Sequence, residues 1–255
     1  MKTPLENRAH PVGGRGKLAY AWIDSSAKTL LDIGCDDGNG VFLFSSKVAG
    51  VWGVDINEKA IALAKKNFPQ ILFSVSKSES LPFGDSFFDT VIMSDVLEHV
   101  DDEKKSLNEI FRVLKSGGQL IITVPHQGMF AFLDPANHKF NLSNKKVFKF
   151  IFKKWLYKKI NTSTPTKRHR HYTLKTLTNL IKDSAFANHF QIEKVFRSGF
   201  LFEPLGANLK AILRKLVGKR LATTILMPLF RLATLEYRIP FGPLAYDMAI
   251  TIRKT

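Results

Sequence analysis

Residues 30–40 read Leu-Leu-Asp-Ile-Gly-Cys-Asp-Asp-Gly-Asn-Gly. An apolar run ends at Gly34, and Gly38 and Gly40 follow before a helical pattern begins. Glycines at such a point let the backbone turn tightly and approach a ligand with no side chain between. Asp55 ends a second apolar run 21 residues after Gly34, where a carboxylate can accept hydrogen bonds from both hydroxyls of a ribose. The glycine string by itself equally suits an ordinary tight turn. Asp36 and Asp37 narrow the ligand. Two carboxylates in the turn repel a pyrophosphate, by a few kcal/mol when partly desolvated, so a cationic or zwitterionic nucleoside fits better than NAD or ATP. No Gly-Lys-Ser/Thr follows the glycines, which excludes a P-loop. Asp32, at the end of the first run, could orient the turn or a ligand ammonium, or simply cap local amides.

A second set of residues could move protons. His126 stands just past a strand-like run, and His169, His171 and Tyr172 form a cluster in His-Arg-His-Tyr. A histidine with a pKa near neutrality suits removal of a proton from a hydroxyl or phenol. With its arginine neighbours, the same cluster also suits binding of an anion or phosphate. No nucleophilic triad and no metal-ligand spacing is visible, and no metal is expected.

These residues need a scaffold. Short apolar runs alternate with helical patterns through the first half, which predicts βαβ units and a parallel sheet. Strands are expected at TLLDIG, VWGVDI, ILFSVS, FFDTVIMSD and QLIITVP, and later at FQIEKVFRSG and AYDMAITIRKT. The periodicity predicts helices from Gly40 to about Ala49, over EKAIALAKKN with Asn57 as its cap, and over SLNEIFRVLK closed by Gly117-Gly118. Thr173 is placed to cap a further helix over LKTLTNLIKDSAF. The fold class is therefore α/β: a doubly wound, mostly parallel, seven-stranded Rossmann-like sheet in a single domain spanning 1–255. It carries a basic helical segment (139–172) after strand 5 and a helical insertion (200–244) between strands 6 and 7.

The charge is uneven. Residues 1–138 hold 14 Lys/Arg and 17 Asp/Glu, whereas 139–255 hold 24 and 5. Such asymmetry calls for an anionic partner, either a membrane surface, a nucleic acid or an acidic substrate, unless it is a solvated basic face. A helix from Asn144 to Ile160, capped by Ser143, would line up Val147, Phe148, Ile151, Phe152 and Trp155, with Lys145, Lys146, Lys149 and Lys153 largely opposite. The insertion repeats the pattern with Leu209, Ile212, Leu213, Leu216 and Val217 beside Lys210, Arg214, Lys215 and Lys219. Both patterns fit interfacial helices on anionic lipid. No apolar stretch is long enough to span a bilayer, and no signal-peptide pattern opens the chain. A lone cysteine, Cys35, fits a reducing, cytoplasmic setting.

In order and spacing, LLDIGCDDGNG, GVDIN, SESLPFGDSFFDTVIMSDVLEHV and RVLKSGGQLIITVP resemble the successive motifs of class I S-adenosylmethionine-dependent methyltransferases, and most closely the methyltransferase type 11 group. The resemblance covers about residues 25–126. It implies S-adenosylmethionine as cofactor, with Asp32, Gly34, Cys35, Asp36, Gly38 and Gly40 around its methionine portion. It further implies Asp55 on the ribose and Ile56 against the adenine. Where relatives often carry an Asp that accepts from the adenine amino group, this chain has Lys77. Lysine cannot accept a hydrogen bond, so Ser78, Glu79 or backbone must substitute. Ser94 and Asp95 would face the methionine end and the acceptor, and Glu98-His99 match the group's frequent Leu-Glu-His. Methyl transfer of this kind needs alignment and, for a weakly acidic acceptor, a base, for which His126, His169, His171 and Tyr172 are candidates. The acceptor expected is a lipid-linked or lipid-like small molecule (glycolipid, polyprenyl-linked sugar or quinone type), met peripherally at the inner face of a membrane. The alternatives are RNA methylation through the basic half and a non-catalytic cofactor-fold binding protein. No RNA-binding module and no Asn/Asp-Pro-Pro-Tyr/Phe string supports the former.

Overall fold

The computed structural model describes residues 14–129, 131–134, 137 and 169–255. The basic helix expected over 144–160 lies outside them. The chain divides into two compact units. Unit 1 comprises residues up to Pro125, Tyr172–Phe196 and Met248–Thr255, and unit 2 comprises His126–His171 and Arg197–Asp247. Most of the two segments singled out by charge and length fall in unit 2.

Unit 1 is built on a seven-stranded mixed sheet. In chain order the strands are β1 (Thr29–Ile33), β2 (Gly50–Asp55), β3 (Leu72–Val75), β4 (Phe88–Ser94), β5 (Leu114–Pro125), β6 (Phe190–Ser198) and β7 (Asp247–Lys254). They lie side by side as β3-β2-β1-β4-β5-β7-β6, and the neighbouring pairs from β3 to β5 are parallel. Helices α1 (Gly14–Trp22), α2 (Asn39–Phe44), α3 (Glu58–Asn67), α4 (Glu103–Val113) and α5 (Leu174–Lys182) cover the sheet. The central strands read as unbroken apolar runs because both faces are buried. In β5, Leu120, Ile122 and Val124 point into the cluster holding Leu107 and Ile110 of α4 and Leu177 and Ile181 of α5. Ile121, one residue out of phase, points into the cluster holding Ala19 of α1, Val41 of α2 and Ile61 of α3. The period of two thus assigns each side chain to one of two cores.

Two expectations about elements need correction, and one helix had none. The helix after the glycine turn ends at Phe44 rather than near Ala49, since Ser45 Oγ and Ser46 Oγ bond back to the carbonyls of Phe42 (2.8 Å) and Leu43 (2.7 Å). Gly117-Gly118 do not close α4. That helix stops at Val113, and the glycines lie inside β5, where the pairing jumps from Phe88–Leu114 to Thr90–Gln119. Gly117, at φ +72°, supplies the conformation such a bulge needs. Helix α1 was not anticipated at all, since its sequence, GRGKLAYAW, offers neither a cap nor a clear amphipathic stripe. By contrast, Asn57 caps α3 through the amides of Lys59 and Ala60, and Thr173 caps α5 in a capping box, as read from the sequence.

In unit 2 the stretch between β6 and β7 is helical. It contains α6 (Phe202–Val217), α7 (Lys219–Ile225) and α8 (Met227–Glu236). Gly218, at φ +83°, separates the first two. Leu201, at the α6 N-cap, offers no capping oxygen. The buried Glu236 carboxylate takes that role and accepts from the amides of Phe200 (3.3 Å), Leu201 (3.1 Å) and Phe202 (3.0 Å).

Candidate cofactor site and acceptor groups

The strand order reverses beside β1, which has β2 on one side and β4 on the other. In open α/β sheets the crevice at the carboxyl ends of such strands is where ligands bind. The glycine turn leaves β1 at that point. The amides of Gly34 (2.7 Å) and Cys35 (3.1 Å) both donate to the Val54 carbonyl, which sews the turn to β2. The Asp36 amide donates to Asp55 Oδ2 at 2.9 Å, and Asp55 Oδ1 accepts from the Asn57 amide at 2.8 Å. Asp55 therefore supports the turn and the start of α3 while its remaining lone pairs stay available to a ligand.

The three glycines serve different ends. Gly34 and Gly38 have φ of +77° and +82°. A Cβ on Gly34 would fall 2.2 Å from Val96 Cγ2, and one on Gly38 would fall 2.8 Å from the Phe73 ring. These two are needed for packing as well as for the turn. A Cβ on Gly40 would sit 3.2 Å from Asp32 Oδ2 and crowd the carboxylate itself. Asp32 is buried, and that burial, with the Asp55 charge adding to it, raises its pKa to about 8. Cys35 points inward, close to where Gly53 has no side chain. Its thiol is pushed up by burial and by the Asp32 and Asp55 carboxylates, so only its backbone is offered to a ligand. Asp37 is committed to the start of α2 through Asn39 N (3.3 Å) and Nδ2 (2.7 Å).

Ile56 follows Asp55 and is 65% exposed, an aliphatic face beside the carboxylate where an adenine would lie. Ser78 and Glu79 are turned into the scaffold. Ser78 Oγ meets Ser106 Oγ at 2.8 Å, and Glu79 Oε1 accepts from the Asp101 amide at 3.0 Å. Any adenine hydrogen bond from this segment therefore falls to its backbone. Lys77 lies 3.7 Å from Asp101. Ser94 Oγ meets Thr123 Oγ1 at 2.8 Å, and Asp95, at φ +56°, is 2.9 Å from Arg15 Nε. Arg15 and Thr123 were not found from sequence. Arg15 belongs to the unanticipated α1, and a threonine inside a strand gives no signal. A buried carboxylate with space kept open by Gly40, a strand-end carboxylate and an exposed aliphatic face beside it fit an adenosyl group with a cationic tail.

The candidate bases separate. Tyr172 belongs to the core of unit 1. It is buried, its hydroxyl donates to Glu103 and its amide to the Pro125 carbonyl, so it is a structural residue rather than a base. His99 is exposed, and its amide donates to the Val96 carbonyl, a local contact. In unit 2, His126 is buried and its Nδ1 lies 3.0 Å from the Ala245 carbonyl. A carbonyl only accepts, so Nδ1 carries the hydrogen and the neutral ring keeps its lone pair on Nε2. Burial lowers the His126 pKa, the Ala245 bond opposes this and the Arg197 charge adds to it. His169 Nδ1 contacts Asp134 Oδ2 at 2.9 Å, and His171 Nε2 lies 3.3 Å from the same oxygen. Asp134, which organises both histidines, was also missed, because 35 residues separate it from His169.

The chain is similar in sequence and fold to known proteins. Residues 31–122 match the family described as "Methyltransferase domain". The chain is 28% identical over 106 residues to a protein of Mycolicibacterium smegmatis named "Probable S-adenosylmethionine-dependent methyltransferase", covering 42% of this chain and 41% of that one. It is 30% identical over 125 residues to the ubiquinone/menaquinone biosynthesis C-methyltransferase of Wigglesworthia glossinidia brevipalpis, covering 46% and 50%. The chain thus spans about half or less of the length of these curated relatives. Among solved structures, the YcgJ protein of Bacillus subtilis shares the fold, with a TM-score of 0.55 at 18% identity over 94% of this chain and 96% of that one. Residues 31–122 thus resemble a methyltransferase domain, and relatives matched over this region are named as S-adenosylmethionine-dependent methyltransferases.

Proposed function

We propose that this chain is an S-adenosylmethionine-dependent methyltransferase that acts on a lipid-linked or lipid-like acceptor at an anionic membrane surface. When bound, the cofactor supplies an electrophilic methyl group on a sulfonium. The chain's own residues bind and orient it: Asp55 takes the ribose hydroxyls, Ile56 packs on the adenine, and ionised Asp32 faces the cationic methionine end. Among the candidate bases, His126 is held neutral with its lone pair on Nε2, the form that can accept a proton.

The observation that carries the membrane half of this reading is the surface of α6, α7 and α8. Ile212, Leu216 and Val217 on α6, Leu221 and Ile225 on α7, and Leu232 and Leu235 on α8 are all exposed, Leu216 by 74%. Large exposed apolar clusters on soluble proteins mark interaction sites. Arg214 and Lys215 are exposed among them, in the half of the chain with 24 Lys/Arg against 5 Asp/Glu. Apolar side chains can enter the headgroup boundary while each basic residue near an anionic surface contributes about 1 kcal/mol. No helix of the described residues is long and apolar enough to cross a membrane, so the association proposed is peripheral. A quinone-type acceptor is one member of this class, as the name of the Wigglesworthia relative suggests for that protein.

Flotation with liposomes tests the membrane half. Binding to vesicles containing phosphatidylglycerol, weakened by salt and by Leu216→Asp, is expected. Failure to float with such vesicles at low salt removes the membrane from the proposal. An electrophoretic shift with generic RNA at the same salt would instead favour the nucleic-acid reading.

A further inference from the structure

The two edges of the unit 1 sheet differ. At one edge, β6 carries Glu193, Lys194 and Arg197, charges of the kind that keep an exposed strand from pairing. At the other lies β3, where residues 71–76, Ile-Leu-Phe-Ser-Val-Ser, hold no charge and no proline. The Ser76 amide donates to the Asp55 carbonyl at 3.0 Å, and Asp55 is the register partner of Val75. Successive residues of a strand direct their N–H and C=O groups to alternate sides. Leu72, Ser74 and Ser76 therefore face β2, and Phe73 and Val75 turn two amides and two carbonyls outward. Among the described residues no strand lies beyond β3, and no turn or side chain bonds to those four groups. The margin is apolar as well. Leu72 is 62% exposed and Val75 48%, and Leu72 lies beside Trp52, whose ring meets the exposed Phe87 edge-on at 5.3 Å.

Backbone groups arranged this way suit an added strand, and β3 is complementary to itself. In an antiparallel pair, opposite residues that turn their groups toward each other exchange both hydrogen bonds. A two-fold axis perpendicular to the sheet at Ser74 sets Phe73 opposite Val75 of the second copy, and Val75 opposite its Phe73. All four outward groups of each strand are then paired. An axis one residue earlier sets Val75 opposite Ile71, whose amide is already bonded to the Phe68 carbonyl. One residue later it sets Phe73 opposite Lys77, whose carbonyl is engaged by the Ser80 amide. In the Ser74 register no charge within 71–76 meets a like charge. The half of the chain that holds β3 has 14 Lys/Arg against 17 Asp/Glu, so two copies are not driven apart there as they would be at the basic half. We infer that β3 is a docking edge for a second copy of this chain, joined antiparallel about Ser74 into one continuous sheet. Such a dimer depends neither on the acceptor nor on the membrane.

Sedimentation equilibrium of the full chain without lipid, over a range of concentrations, tests the dimer. The mass is expected to rise with concentration toward twice that of the monomer. Val75→Lys puts a charge on the edge without touching the ladder to β2, and should hold the chain at the monomer mass. Leu216→Asp, on α6, should leave the dimer intact. Ser74→Cys gives a second reading should Val75→Lys fail to fold. Opposite residues whose backbone groups point away from each other bring their Cα atoms to about 4.5 Å, within disulfide reach. Oxidation with copper phenanthroline should therefore link Ser74→Cys chains in pairs. It should not link Ser76→Cys chains, whose new thiol faces Leu72 of the second copy, nor wild-type chains, whose one cysteine is buried. A monomer at every concentration overturns the docking edge. So does a dimer that survives Val75→Lys or is lost in Leu216→Asp, or one in which Ser74→Cys stays unlinked or Ser76→Cys links as readily.

Discussion

Asp55 Oδ2 accepts a hydrogen bond from the Asp36 amide at 2.9 Å, so the carboxylate expected to hold a ribose also holds the glycine turn in place. The two roles share one side chain, and substitutions can separate them. Asp55→Asn keeps one oxygen for the backbone, whereas Asp55→Ala keeps none. Fluorescence titration with S-adenosylhomocysteine should show weaker binding in both, by at least about 1 kcal/mol, with Asp55→Ala the more affected. Equal, unchanged affinities would separate Asp55 from the ligand.

Asp32 links cofactor binding to protons. Its pKa of about 8 means that it is largely protonated at pH 7 in the free protein, whereas a cationic ligand selects the ionised form. Binding should therefore release protons, up to about one near pH 7, and tighten as pH rises toward 8. Calorimetry in buffers of different ionisation enthalpy measures this release, which Asp32→Asn should abolish. The sign for folding is the opposite. A carboxyl whose folded pKa lies above its ordinary 3.8 contributes stability at low pH that is lost as pH rises through about 8. Between pH 4 and 8 the free wild-type protein should thus lose stability relative to Asp32→Asn. A parallel pH dependence in the two proteins would contradict the assignment.

Gly34→Ala meets two obstacles at once, a φ of +77° and Val96 Cγ2 at 2.2 Å from the new carbon. Thermal unfolding should show a loss of about 1–3 kcal/mol. The paired variant Gly34→Ala/Val96→Ala should recover the clash but not the backbone strain. Full recovery would show that the positive φ carries no cost here.

Glu236 makes a prediction for unit 2. Its carboxylate satisfies three consecutive amides at the start of α6, so Glu236→Ala should destabilise the helical insertion by about 2–3 kcal/mol. Hydrogen exchange read over 202–236 should accelerate, while β1 and β4 stay protected. Uniform exchange across both units would mean that the insertion does not open separately.

What could be read in advance follows physical lines. The strands β1, β2 and β4 and the helix caps at Asn57 and Thr173 were legible because each is set by a local pattern, either a buried run between turn residues or a capping oxygen three residues from its amide. The cofactor turn was legible for the same reason. Gly117-Gly118 misled because glycine suits both a helix end and a bulge, and only the partner strand decides between them. The parts of the site contributed by tertiary contact were not legible: Arg15 on Asp95, Thr123 on Ser94, and Asp134 between two histidines. Tyr172 looked like chemistry because of its neighbours in sequence, but it belongs to the core.

The most direct measurement of the central claim is a calorimetric comparison of S-adenosylhomocysteine, NAD and ATP binding to the intact chain. One-to-one binding of S-adenosylhomocysteine with no detectable heat from the two pyrophosphate-bearing ligands is the predicted result. Binding of NAD or ATP in its place, or no binding of S-adenosylhomocysteine, would contradict the account.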